Sequence, residues 1–122
     1  MALGDPDRLK ELLAAFGPVS VRRMFGGAGI FADGIMFALV AADELYFKAD
    51  AATIPAYQAE GETPFVFEGG GRRATMSYWR VPGRLLDEPD ELAQWAKAAH
   101  AAARRAAAAS PRGRRKRNAR RR

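Results

Sequence analysis

The apolar residues near the start of the chain follow a helical spacing, and those after it follow the spacing of strands. Apolar positions recur every three or four residues between Asp5-Pro6, a helix start, and Gly17-Pro18, which ends a helix. Residues 19–32 are β-prone and predict one strand that bends at a glycine bulge, Gly26-Gly27. Asp33-Gly34 is a strong signal for a two-residue hairpin turn.

The rest of the pattern predicts further strands and two more helices. Ile35–Ala41 is apolar throughout, which indicates an inner strand covered on both faces. Leu45–Lys48 alternates between apolar and polar residues, as a strand with one wetter face does. A helix over residues 50–59, a hairpin over 65–81 and a last helix from Asp87 to about Ala107 follow. The order α-β-β-β-α-β-β-α predicts an α+β fold with an antiparallel sheet.

Seven large side chains are expected to be mostly buried: Leu9, Phe16, Phe37, Leu39, Phe47, Met76 and Trp95. In the last strand, alternation puts Met76 and Tyr78 on one face and Trp79 on the other. An outward Trp79 would then be covered by the final helix or by a partner chain, or would stack on a nucleic-acid base.

Charge divides the sequence into two segments. Residues 1–109 contain 12 Lys and Arg against 14 Asp and Glu, whereas residues 110–122 contain eight basic residues and no acidic one. We expect a near-neutral folded domain over 1–109 and a basic, disordered tail over 110–122. GC-rich coding, which favours Arg over Lys, is an alternative origin for the tail. Its basic side chains are predicted to bind nucleic acid without sequence preference: Arg112, Arg114, Arg115, Lys116, Arg117, Arg120, Arg121 and Arg122.

Side chains that carry catalysis or hold metals are scarce. The chain has no cysteine and a single histidine, His100, which is expected on the surface of the last helix. We therefore predict no catalytic site, no cofactor and no metal. The acidic run Asp87, Glu88, Asp90 and Glu91 could hold a divalent cation, but its position at a helix start favours a capping role.

Three other motifs have both a functional and a structural interpretation. Gly27–Ala32 matches the pattern G-x-G-x-x-A of dinucleotide sites, but it leads into a turn where that site needs a helix, so a strand bulge is favoured. Gly69–Gly71 before Arg72-Arg73 could bind an anion, although a hairpin loop with solvated arginines is favoured. Arg22 and Arg23 are adjacent in a strand and should point to opposite faces, the inner one paired with a carboxylate.

The sequence also predicts the compartment. No cysteine is available for disulfides, the N-terminus lacks signal-peptide features, and no apolar run of 18 residues occurs. We therefore expect a cytoplasmic protein that does not associate with membranes.

Two motifs carry a family resemblance: VRRMFGGAGIF at residues 21–31 and MSYWRVP at residues 76–82. Together they resemble the N-terminal domain of the TfoX/Sxy competence-regulator family, over about residues 5–105. The resemblance implies an arrangement similar to type III secretion chaperones, which often pair as dimers. Full-length family members carry a second, helical domain similar to nucleic-acid-binding helix–hairpin–helix modules. Arg-rich sequence stands in its place, so the chain resembles a stand-alone N-terminal domain.

These observations favour a non-enzymatic regulatory or adaptor protein of the TfoX N-terminal-domain type. The resemblance implies a link to transcriptional regulation or competence, and the tail adds nonspecific nucleic-acid affinity. The alternative is a protein-interaction or chaperone-like dimer with no nucleic-acid role. A homodimer is expected because aromatic residues cluster in a hairpin that so small a chain does not fully cover: Phe65, Phe67, Tyr78 and Trp79.

Overall fold

An antiparallel sheet of six strands runs through the part of the chain that the computed structural model describes, residues 3–24 and 26–109. The predicted α+β class is confirmed. The basic tail side chains from Arg112 to Arg122 lie outside the described residues.

The strands are β1 (Ser20–Met24), β2 (Gly27–Ala32), β3 (Ile35–Ala41), β4 (Glu44–Lys48), β5 (Pro64–Gly69) and β6 (Arg72–Arg80). Their spatial order in the sheet is β1-β2-β3-β4-β6-β5. The helices are α1 (Pro6–Leu12), α2 (Ile54–Ala59) and α3 (Pro89–Ala109), with a 3-10 helix at Gly83–Asp87.

Local sequence signals set the ends of the helices. At α1 the Asp5 carboxylate accepts a hydrogen bond from the backbone N–H of Asp7 (3.4 Å), and Pro6 occupies the first turn. This helix is shorter than its apolar stripe predicts. α3 begins at Pro89 and not at Asp87, which belongs to the 3-10 helix. Proline suits the first turn of a helix because the N–H that it lacks would have no partner there.

Residues 19–32 form two paired strands instead of one bent strand. β1 and β2 run antiparallel, with Met24 paired to Gly27 across a tight turn. Gly26 has a left-handed φ of 75°. A Cβ on Gly27 would overlap the carbonyl oxygen of Val40 in β3. The two glycines therefore serve a hairpin turn and a close contact between strands, and the predicted order of elements otherwise holds.

A bulge in β3 decides which of its side chains enter the core. Ile30 pairs with Ala38 while the next residue, Phe31, pairs with Met36, so Phe37 has no partner in β2. Phe37 and Ala38 are consequently both fully buried, although they are adjacent. β3 lies between β2 and β4, which confirms the prediction of an inner strand.

The core lies between the sheet and the helices, with α3 packed on β3 and β4 and α1 packed on β1. Leu9, Phe37 and Phe47 are fully buried as predicted, and Phe16 and Trp95 pack against the core while partly exposed. Leu39 is only half-buried, and the prediction for Met76 is wrong because its side chain is 41% exposed. The largest fully buried side chains are Phe37, Phe47, Leu9, Leu13, Ile30, Leu85 and Leu92.

His100 and Trp79, which are not among the predicted core residues, both pack against the core. His100 is only 8% exposed, and its Nε2 lies 3.0 Å from the Ala32 carbonyl oxygen, an acceptor that requires the proton on Nε2. The prediction of a surface histidine is therefore wrong. Trp79 also packs against the core, with its ring 6.3 Å from that of Tyr57 in α2. Alternation separates Trp79 from Tyr78 correctly, but it does not show which of the two faces the helices cover.

Candidate functional site

The outer face of the sheet is the face opposite the helices. Phe47 and Trp79 pair across β4 and β6 and both belong to the core side, so their neighbours along each strand point outward. By the pairing register, the outer face carries Arg22, Met24, Gly29 and Phe31 of the first hairpin, Met36, Leu39 and Ala41 of β3, Glu44, Tyr46 and Lys48 of β4, and Met76, Tyr78 and Arg80 of β6.

The sheet curls so that one edge reaches over the other. Met24 in β1 and Phe67 in β5 lie on the two edge strands, yet both line the same groove. In a flat sheet, five strand spacings of about 4.8 Å would hold these edges about 24 Å apart. Only Tyr78–Arg80 of β6 pair with β4, so the remainder of β6 and its partner β5 are free to fold over the outer face. The result is a trough-shaped sheet.

The groove inside this trough is apolar and has a volume of about 250 Å³. One wall comes from the first three strands and the other from the β5–β6 hairpin. Phe67 and Met76 on the hairpin wall are each 41% exposed. The largest lining side chains are Met24, Met36, Leu39, Phe65, Phe67 and Met76.

Gly29 provides space for two of the methionines. A Cβ at this position would lie 2.8 Å from the Cε of Met24 and 3.1 Å from the Sδ of Met36. Because glycine has no side chain, these thioethers extend over the strand and form the floor of the groove. Methionine is flexible and polarisable, so such a floor can adapt to side chains of different shapes.

Two cations flank the Met36 end of the groove. The Arg22 guanidinium lies over the Phe31 ring, 5.2 Å from its centroid, and Phe31 is paired with Met36. The Lys48 ammonium lies 5.3 Å from the centroid of Tyr78, whose hydroxyl donates to the Met36 carbonyl oxygen (3.4 Å). Burial lowers the pKa of Lys48, and this effect exceeds the opposing attraction of Asp50. Lys48 also donates a hydrogen bond to the Ser77 hydroxyl.

Another outer-face cation, Arg80, is already neutralised by acidic side chains. The Arg80 guanidinium donates two hydrogen bonds to Glu44, at 3.0 and 3.2 Å, and lies 4.0 Å from Glu62. The ring of Tyr46 beside this pair contacts Phe65 at a centroid distance of 5.0 Å. Arg80 and its acids therefore bound the side of the groove where β4 meets β6.

The structure assigns structural positions to the other candidate motifs. Gly27–Ala32 is a strand and not a helix start, and Gly70 and Gly71 take left-handed φ values in the hairpin turn. In the acidic run Glu91 pairs with Arg84 (2.9 Å). No group of three or more His, Asp or Glu side chains within residues 3–24 and 26–109 is placed to hold a metal ion. Arg22 lies on the outer face over the Phe31 ring. Arg23 is the inner of the two arginines by alternation, but it is exposed and forms no ion pair among the described residues, so the prediction of a carboxylate partner is wrong.

Sequence reasoning missed Met24 and Met36 as surface residues. The chain contains four methionines, and three of them, Met24, Met36 and Met76, meet in this groove although they lie far apart in sequence. The available signal was that these three methionines all fall in predicted strands. Their convergence depends on the curl of the sheet, which no local pattern encodes.

Comparison with protein families shows that the profile of the TfoX N-terminal domain matches residues 11–103. The matched range contains the complete sheet and every side chain that lines the groove. No curated protein matches the chain. Among the described residues, no helix has the length and apolarity that crossing a membrane requires.

Proposed function

The chain belongs to the TfoX N-terminal domain family, and on this basis we propose that it is a non-enzymatic regulatory or adaptor protein that acts by binding other proteins. The observation that carries the proposal is the groove on the outer face. A domain of this size gains stability by burying apolar side chains, yet two large ones remain 41% exposed on the wall of the groove. Contiguous exposed apolar surface of this kind marks interaction sites.

The basic tail supports a regulatory role at nucleic acid. Residues 110–122 carry eight basic side chains and no acidic one, so the tail can release counterions from a phosphate backbone and hold the domain near DNA or RNA. Such contacts carry little sequence information. In this proposal the outer face selects the protein partner, and the tail raises the local concentration of the pair at nucleic acid.

Transcript profiling in the native host tests the proposal. Four strains are compared: wild type, a deletion of the gene, Met76→Glu in the groove, and Lys97→Glu on the exposed surface of α3. We expect the deletion and Met76→Glu to change the same set of transcripts, while Lys97→Glu matches wild type. A deletion strain whose transcripts equal those of wild type would refute the regulatory role.

A further inference from the structure

The groove has room for one or two large apolar side chains. Its volume is about 250 Å³, and a dry cavity of about 150 Å³ is known to hold a benzene molecule. Leucine, methionine and phenylalanine side chains of a partner therefore fit it, and a bulky folded surface does not. The methionines of the floor allow different shapes in the same space.

Two cations beside the groove lack a carboxylate. Neither Arg22 nor Lys48 forms an ion pair with an acidic side chain among the described residues. The negative charge of Asp50 acts to raise the pKa of Lys48. The Asp50 carboxylate, however, already accepts a hydrogen bond from Arg105 (2.8 Å). Both cations lie over aromatic rings at the same end of the groove, so a single short segment can reach both.

The charge of the outer face differs from that of the rest of the domain. By alternation the strands of this face carry Arg22, Lys48, Arg72 and Arg80 against the carboxylate of Glu44, and Glu62 lies 4.0 Å from Arg80 at its border. Basic side chains therefore outnumber acidic ones by four to two. Residues 1–109 as a whole contain more acidic than basic side chains, so the acids are concentrated elsewhere. A second copy of the chain docked face to face would bring like charges together, which is unfavourable. A nucleic acid would satisfy the cations, but it has no long aliphatic side chain to fill the groove.

We propose, resting on the protein-binding function above, that the groove binds a segment of another protein in which one or two large apolar side chains stand beside Asp or Glu. The apolar side chains enter the space between Met24, Met36 and Met76. The acidic side chains pair with Arg22 and Lys48. Specificity comes from the combination, because neither basic nor purely polar segments satisfy both parts of the site.

Selection from a random twelve-residue peptide display library tests the chemistry of the segment. The full-length chain is the target, and peptides that also bind the Met76→Glu variant are removed, because that variant keeps the tail and both cations but places a charge in the groove. We expect the remaining peptides to be enriched in Leu, Phe or Met next to Asp or Glu. Enrichment of basic residues, or no enrichment of acidic ones, would overturn the inference.

Binding of the best selected peptide then assigns the contacts. In carbon-13 methyl spectra of the full-length chain, the signals of Met24, Met36 and Met76 should shift on titration. The double variant Arg22→Glu/Lys48→Glu should weaken binding at least tenfold at 150 mM salt, a change of about 1.4 kcal/mol. The matched variant Lys97→Glu/Arg104→Glu on α3 carries the same charge change and should stay within twofold.

Three outcomes count against the inference. Equal weakening in the two double variants would show a general charge effect of the kind expected from the tail. Stronger shifts of the methionine signals with a twelve-nucleotide single-stranded DNA or with lauric acid than with the peptide would assign the groove to another ligand class. If no acidic, apolar peptide binds the groove but the deletion and Met76→Glu strains change the same transcripts, only the proposed class of partner is refuted. If the deletion strain has the transcripts of wild type, the proposed function itself is refuted.

Discussion

Two glycines of the first hairpin allow a test of which residue is needed for the fold and which one shapes the groove. Gly27 and Gly29 lie two residues apart on β2, and each would bring an added Cβ against a neighbour. At Gly27 the neighbour is the backbone carbonyl of Val40, which is fixed in the sheet. At Gly29 the neighbours are the flexible ends of Met24 and Met36.

The two alanine substitutions should therefore differ in cost. Overpacking costs about 1–3 kcal/mol, and Gly27→Ala should lie near the upper end, at about 3 kcal/mol, because strand backbone must move. For a domain of this size that corresponds to a fall in Tm of about 12–24 °C. For Gly29→Ala the movement of two methionine ends is offset by about 0.4–1 kcal/mol from the stiffer unfolded chain. Its stability should therefore stay within about 1 kcal/mol of wild type.

Thermal and urea unfolding, followed by circular dichroism, measure both variants. Gly29→Ala should keep its stability but reshape the floor of the groove, so its methionine methyl signals should shift even without a peptide. If Gly27→Ala unfolds within about 0.5 kcal/mol of wild type, or if Gly29→Ala is the less stable of the two, the assignment of Gly27 to the strand contact and Gly29 to the groove floor is refuted.

Four further predictions concern the core, acid stability, the tail and self-association. Phe37→Ala should lower the free energy of unfolding by about 3–5 kcal/mol in urea titrations, because the ring is fully buried. The Arg84 hydrogen bonds lower the pKa of both Glu60 and Glu91, so their contribution to stability is present above the ordinary pKa of 4.5 and is lost as the pH falls below it. Arg84→Met should accordingly flatten the loss of stability in acid, and parallel pH profiles would contradict this. Deleting residues 110–122 should abolish binding to duplex DNA of any sequence, and the full chain should show a slope of log K against log salt of roughly −5 to −7. Light scattering of the full chain at high micromolar concentration tests the homodimer expected from the sequence, which the like charges of the outer face require to form through another surface. A monomer would contradict the homodimer, and a dimer that Met76→Glu dissociates would contradict the assignment of the groove to another protein.

The hairpin turns are the part of this fold that local sequence predicts best. The Asp33-Gly34 turn has left-handed φ values of 53° and 75°, as the sequence predicts for a two-residue hairpin. The next hairpin turn uses Ala42 and Asp43 at φ values of 51° and 61°. Alanine is uncommon in that conformation, so no local signal marks this turn, and it was found only from the apolar runs on either side of it.

Contacts between residues far apart in the chain could not be predicted from the sequence. The pair Gly26-Gly27 was interpreted as a bulge because the sequence does not show that Gly27 lies against Val40. His100 was expected at the surface because the chain has no second histidine that could share a metal site or a proton relay with it. The carbonyl of Ala32 that accepts its hydrogen bond lies 68 positions earlier in the chain. Both errors arose where a distant backbone oxygen, and not local propensity, determines the environment.

The outer face shows how one local irregularity changes a functional interpretation. Strict alternation through β3 would put Phe37 and Leu39 on the same side, and both were predicted to be buried. The bulge at Phe37 sends Leu39 to the outer face with Met36. The strand is apolar on both faces, as its sequence indicates, but α3 packs on the inner face whereas only the β5–β6 hairpin partly covers the outer one. Apolar residues on an inner strand with incomplete cover form a surface that a partner can bury, which is why the groove, and not an isolated aromatic residue, is the candidate site of this domain.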